Sequence, residues 1–173
     1  GELHLETAII DSTQVRAFGG GDATGPSPVD RRKKGTKFTL LVDREGVPLV
    51  LRAAGANRSD HLEILPTVVS FPTVPGKVGR PPTHPKKLFA DAGYDSDPTR
   101  SILRWLGIEP HIRRRGSEHG SHLGRVRWVV ERTHAWMGRC RRNSKDYERT
   151  ESSSEAMIQV SSIRLMLRRL DTA

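Results

Sequence analysis

Leu5-Glu6-Thr7-Ala8-Ile9-Ile10-Asp11 and Lys87-Leu88-Phe89-Ala90-Asp91 are the two stretches that decide the fold. Each is a short apolar run closed by an aspartate, the pattern of a strand whose last side chain leaves the core for a rim. Between them, residues 38–42, the turn Asp43-Arg44-Glu45-Gly46 and residues 47–54 read as a hairpin. After them, Asp97-Pro98 opens a helix that Gly107 ends, and residues 108–112 form a last short strand. A hairpin followed by crossover strands predicts an α/β domain with a mixed sheet of about five strands and helices on its faces. Such a sheet can set the ends of the first and fourth strands side by side, so that Asp11 and Asp91 meet across 91 − 11 = 80 positions.

The connecting segments fill in the rest. Residues 19–35, with Gly19-Gly20-Gly21 and then Arg31-Arg32-Lys33-Lys34, read as a long flexible loop. Ser59 is placed to cap a short helix that stops near Pro66. Residues 72–86 carry five prolines and two glycines, a second surface loop. Val126, Val129, Val130, Met137 and Cys140 recur at helical spacing over residues 123–140, and a final amphipathic helix covers residues 154–170.

Composition narrows the function classes. The 173 residues suffice for one domain with a real core, and the apolar residues, though only 35%, are clustered. Lys and Arg number 29 against 20 Asp and Glu, a net charge of +9 that fits a polyanionic partner or a solvated basic surface. The lone cysteine, Cys140, excludes an intramolecular disulfide and a cysteine zinc cluster. No apolar run approaches the roughly 20 residues that span a bilayer and no signal peptide is visible, so no membrane partner is expected and a cytoplasmic location follows by default.

A third acid, Glu131, lies on the helix of residues 123–140 beside its apolar stripe. Three gathered carboxylates repel unless a cation neutralises them, and their oxygens suit Mg²⁺ or Mn²⁺. Two such ions roughly 3.5–4 Å apart serve phosphodiester chemistry by activating a hydroxyl and steadying the leaving oxygen. Spacing alone leaves the plainer readings open: acids at strand ends form turns and caps, and Glu131 can pair with Arg127 one helical turn away.

Three ordered segments carry a resemblance. Ile10-Asp11-Ser12-Thr13-Gln14-Val15-Arg16, Ala90-Asp91-Ala92-Gly93-Tyr94-Asp95-Ser96 and Val129-Val130-Glu131-Arg132-Thr133-His134-Ala135-Trp136 resemble the signature segments of the bacterial DDE-type insertion-sequence transposases, of the large branch numbered five. Arg141-Arg142-Asn143-Ser144-Lys145-Asp146-Tyr147-Glu148 is similar to that branch too. The resemblance covers nearly the whole chain. It implies an RNase H-like fold, Asp11, Asp91 and Glu131 as a catalytic triad holding two Mg²⁺ (or Mn²⁺) ions, and cleavage and strand transfer of DNA. The implied partners are transposon ends and target DNA, with a homodimer pairing two ends and a location at the bacterial nucleoid.

Two departures accompany it. In the tyrosine, arginine, glutamate and basic pattern of related transposases, Arg127 fits the arginine, but Gly124 stands at the tyrosine position and Gly138 at the basic one, with Arg139 a step later. Only ten residues precede Asp11, so the expectation is one RNase H-like domain over residues 1–173 without the upstream helical DNA-binding region of full family members.

DNA-contact candidates are Arg31, Arg32, Lys33 and Lys34 in the first loop, Arg113, Arg114 and Arg115 after the last strand, and Arg127 and Arg139 on the acidic helix. Trp128 and Trp136, eight apart, share roughly one helix face, for packing or for stacking on an unpaired base. His61, His119, His122 and His134 lack metal-ligand spacing, Asp43 and Asp95 read as turn residues, Asp60 as a helix cap and Cys140 as core. Two other readings stay open: an RNase H-like nuclease without strand transfer, and an inactive basic DNA-binding remnant.

Overall fold

The computed structural model describes residues 3–74, 79–116 and 124–171. Strand β1 (Thr7–Ala17) lies at the centre of a mixed sheet, with β3 (Lys34–Asp43) antiparallel on one side and β5 (Lys87–Ala90) parallel on the other. Outside β3 runs β4 (Pro48–Gly55), antiparallel, and outside β5 runs β6 (Glu109–Ile112), parallel. These are the five strands expected. The sheet has seven because two two-residue strands extend it: β2 (Gly25–Pro26) on the start of β3 and β7 (Lys145–Asp146) on the end of β1.

Helices cover both faces. Against one lie α1 (Asp60–Val69) and α2 (Asp97–Trp105), with Ile64, Val68 and Leu103 packed on Ala8, Ile10 and Leu88. Against the other lie α3 (Gly124–Gly138) and α4 (Glu151–Leu170), with Val129, Val130, Met137 and Ile158 packed on Ile9, Leu40 and Val42. Both neighbouring apolar faces of β1 and β3 are covered, which is why Leu40, Leu41 and Val42 are buried in succession rather than alternately.

Four expectations need correction. Asp11 does not end its strand: β3 goes on pairing with β1 as far as Arg16–Gly35, and the strand continues for six residues beyond Asp11. The basic segment is not a free loop. Its backbone is tied by Ser27–Lys33 and Arg32–Ser27 hydrogen bonds, Arg31 and Arg32 hold positive φ, and Lys34 already belongs to β3. Helix α1 runs through Pro66 to Val69, and Ser59 starts it without a side-chain cap, because its apolar face against the sheet outweighs one missing N–H. The last helix starts at Glu151, where Thr150 accepts from the Ser153 amide. Residue 123 and part of the proline-rich loop (75–78) lie outside the described residues.

Two contacts fix α3 and α4 to the sheet. The β3–β4 turn is gripped by α3: Thr133 Oγ1 donates to the Gly46 carbonyl at 3.0 Å and Arg132 to the Glu45 carbonyl at 2.8 Å. Gly46 is at φ +83°, and a Cβ there would stand 2.7 Å from Thr133 Oγ1, so both conformation and space require glycine. At the other end the buried Asp146 accepts from Thr36 Oγ1 at 2.6 Å and Ser154 Oγ at 2.9 Å, joining β7, β3 and α4. Asp146→Ala leaves two buried hydroxyls without their acceptor, and urea unfolding should show a loss of about 2–4 kcal/mol; a loss under about 0.5 kcal/mol would refute the role.

Candidate active site

Asp11 and Asp91 come together through strand register. The parallel pairs Thr7–Lys87, Ala8–Leu88 and Ile9–Phe89 keep a constant offset (87 − 7 = 80), and the same offset sets Asp11 level with Asp91. Alternation turns Asp11 to the face of Ile9, the face that α3 covers. There α3 supplies Glu131, Arg127 and His134, which share a side because residues three and four apart are neighbours on a helix.

Arg127 stands between two of the acids. Its guanidinium lies 4.0 Å from an Asp11 carboxylate oxygen and 3.5 Å from Glu131 Oε1. Asp11 is mostly buried, and burial pushes its carboxyl up to about 6; the Ser12 amide and Arg127 pull it down, while Asp91 and Glu131 push it further up. The negative field of both other acids is thus felt at Asp11. Glu131 itself is 58% exposed at its side chain and turned toward Arg127. Among the described residues no three His, Cys, Asp or Glu side chains stand close enough to hold a metal ion.

Asp91 is oriented by the chain that follows it. Its Oδ1 accepts the Gly93 amide at 2.8 Å, opening a 3-10 turn over Ala92–Tyr94. Gly93 also borders a fourth acid: a Cβ on it would lie 3.0 Å from both Asp91 Oδ1 and Asp60 Oδ2. Asp60, read from the sequence as a helix cap, instead accepts from Ser12 Oγ at 2.9 Å and from the buried Lys37 Nζ at 2.6 Å. Tyr94 is buried beside this network, and burial holds its hydroxyl well above the usual phenol range.

His134 also escaped the sequence reading. Its Nε2 lies 4.0 Å from Asp11 Oδ2, and burial lowers its pKa to about 4, so the ring is neutral at pH 7. A search for metal-ligand spacing passes over it; its place three residues after Glu131 on one helix face was the available signal. His61 stands on α1, and His119 and His122 lie outside the described residues.

The basic candidates part company. Arg31, Arg32, Lys33 and Lys34 are exposed on the turn between β2 and β3. Arg114 pairs with Asp97 at 2.5 Å, and Arg115 donates to the Ala92 and Gly93 carbonyls at 3.1 Å, so both brace the loop that follows Asp91. Arg113, between them and β6, is half-buried. Arg139 lies beyond the end of α3, in a cleft toward α4. The two tryptophans flank a cation: the Arg132 guanidinium sits 4.4 Å from the Trp128 ring and 4.5 Å from that of Trp136.

The charge state of Asp11 has a measurable consequence without metal. A raised carboxyl pKa means that the native state holds the proton more tightly than the unfolded chain, so the Asp11 contribution falls as pH climbs from 3.8 to about 6. A lowered His134 pKa acts oppositely, adding stability as pH rises from about 4 to 6.5, and the two nearly cancel. Asp11→Asn should therefore be more stable than the parent at pH 7, by about 1–3 kcal/mol. Its stability advantage over the parent should grow between pH 4.5 and pH 7. Urea titrations in a chelator at pH 4.5 and pH 7 check this, and a variant no more stable at pH 7 contradicts it.

Comparison with known proteins shows the family and the fold. The family model described as a transposase DDE domain matches residues 3–166. A putative transposase for insertion sequence element IS402 from Burkholderia cepacia is 45% identical over 141 residues, covering 82% of this chain. The match covers 65% of that relative, so the chain spans just under two thirds of its length. Among solved structures, the catalytic core domain of BIV integrase aligns with a TM-score of 0.51 at 12% identity, over 92% of this chain and 82% of that one. That likeness shows the fold, which is RNase H-like as expected.

Proposed function

The chain belongs to the transposase DDE domain family, and from that premise we propose that it is a DNA transposase catalytic core acting on transposon ends and target DNA. The observation that carries the reading is the level placement of Asp11 and Asp91 at neighbouring parallel strands, with the Asp11 carboxyl raised by burial first and further by Asp91 and Glu131. A carboxyl held near 6 among other acids is one that a cation would relieve. The donor set consists of hard oxygens, which fits Mg²⁺ or Mn²⁺.

Asp11, Asp91 and Glu131 would hold the two ions. When bound, such ions activate the attacking hydroxyl and stabilise the leaving oxygen of an in-line displacement. The chain's own residues do the positioning. The Gly93 amide fixes one Asp91 oxygen, and the Lys37–Asp60–Ser12 network buttresses the strand ends from the opposite face. Arg127 offsets the charge of Asp11 and Glu131 and offers a guanidinium to phosphate. Neutral His134 walls the site on the α3 side. The exposed Arg31, Arg32, Lys33 and Lys34, with Arg113, are proposed to meet the DNA backbone, whereas Arg114 and Arg115 act on it through the loop they brace. Two copies would pair two ends.

Incubation with Mg²⁺ and duplexes carrying the ends of the element that encodes the chain should give strand cleavage. Asp11→Asn, Asp91→Asn and Glu131→Gln should each lower it by at least about a thousandfold, several kcal/mol of transition-state stabilisation. Cleavage that survives all three single changes refutes the site. A pre-cleaved end with a free 3′-hydroxyl separates the alternatives: joined product supports a transposase, hydrolysis alone a nuclease. Salt-sensitive binding without metal-dependent cleavage marks a DNA-binding remnant.

A further inference from the structure

Trp128, Arg132 and Trp136 stand four residues apart on α3 and so share one face of it. The Arg132 guanidinium lies 4.4 Å from one indole and 4.5 Å from the other, which denies it most of the rotamers an open arginine explores. Held there, it donates to the Glu45 carbonyl at 2.8 Å, and Arg169 of α4 donates to the same oxygen at 3.1 Å. The adjacent Thr133 is fully buried. Its hydroxyl lies 3.0 Å from the Gly46 carbonyl and 3.0 Å from the Val129 carbonyl, so one proton is shared between the turn and the helix itself. The two tryptophans thus hold a cation that grips the β3–β4 turn.

These contacts act as a ruler. Ala8 pairs with Asp43, so the turn lies beside the start of β1, three residues (11 − 8 = 3) or about 10 Å from Asp11. Thr133 follows Arg127 by six residues (133 − 127 = 6), about 9 Å of helix. Arg127 approaches Asp11 while Thr133 reaches Gly46, so helix and strand are matched in length between those two points. Apolar packing alone does not fix that match. The contacts of Val129, Val130 and Met137 with the sheet are non-directional, whereas hydrogen bonds to two successive carbonyls are directional. A slip of one residue would move Glu131 by about 1.5 Å along the axis and turn it by about 100°. A misplacement of about 1 Å is enough to slow a reaction ~100-fold.

We propose that Arg132 and Thr133 are positioning residues: by docking α3 on the β3–β4 turn they set the height and rotation at which Glu131 stands relative to Asp11 and Asp91. The inference rests on the reading of Glu131 as a metal ligand and adds what places it. Gly46 belongs to the same device, because a Cβ on it would stand 2.7 Å from Thr133 Oγ1 and 3.0 Å from Val129 Cγ1 and push the helix away.

The test uses the whole chain, Mn²⁺ alone as the metal probe and duplexes carrying the element's ends. Thr133→Val keeps the branched shape and removes the donor, whereas Thr133→Ser keeps the donor. Both are assayed at a temperature where melting curves show them folded. Thr133→Val should bind Mn²⁺ about 10- to 100-fold more weakly, read from the paramagnetic resonance of the free ion, and cleave correspondingly more slowly at saturating DNA. Its duplex affinity in a chelator should equal the parent's, and Thr133→Ser should behave as the parent does. Arg132→Gln should shift Mn²⁺ affinity and rate in the same direction, and it carries the test if Thr133→Val does not fold. A Thr133→Val chain that melts lower yet binds Mn²⁺ and cleaves like the parent overturns the proposal, because a merely structural hydroxyl behaves that way. So does a Thr133→Ser chain as impaired as Thr133→Val. A parent that neither binds Mn²⁺ nor cleaves is a separate result: it removes the catalytic reading of Glu131, and the proposal with it.

Discussion

The parallel pairing of β1 with β5 is the constraint from which the rest of the structure follows. Three residue pairs with a fixed offset of 80 positions carry Asp11 and Asp91 to the same level, and no local feature of either segment achieves that. The pairing survives because both strands are central: Ala8, Ile10, Leu88 and Ala90 pack under α1 and α2, while Ile9 packs under α3 and α4. A slip of one residue would reverse which face every side chain meets and send Asp11 into the α1 side. The site is therefore as rigid as the core beneath it. The antiparallel extension of β1 along β3 to Arg16 adds to this, since it prevents Asp11 from fraying as a strand end would.

Charge around Asp11 is balanced by position rather than by number. Arg127 spans Asp11 and Glu131, and His134 approaches the other oxygen of Asp11 while remaining uncharged. Asp60 is engaged by Lys37 and Ser12, and Asp91 by the Gly93 amide. The acids thus differ in how committed they are. Asp60 is paired with a buried cation, whereas the Asp11 carboxyl is raised chiefly by its burial, with Arg127 4.0 Å away.

Helix α3 joins two kinds of surface in one rod. Its middle carries Glu131, Arg127 and His134 toward the sheet end, and its last turn and exit carry Trp136 and Arg139 toward the arginines of α4. Thr133 and Arg132 anchor this rod on the β3–β4 turn, where Gly46 allows the close approach. Glu131 and Trp136 are therefore held by one helix, whereas Asp11 and Asp91 are held by the sheet.

Local sequence determined the elements that depend on short-range chemistry. The hairpin around Asp43–Gly46, the strand closed by Asp91, the helix opened by Asp97-Pro98 and ended by Gly107, and the apolar stripe of α3 were all legible, and three ordered segments carried the resemblance to one family. Tertiary structure decided what short-range signals understate. Pro66 sits inside α1 because packing on the sheet outweighs a breaker; β1 runs past Asp11 because β3 continues to offer hydrogen bonds; Arg114 and Arg115 lie along the surface because Asp97 and the Ala92 and Gly93 carbonyls are within reach. Asp60, His134 and the α4 arginines took their places beside distant partners for the same reason: a sequence lists donors and charges, but only the folded chain sets which of them share a few ångströms.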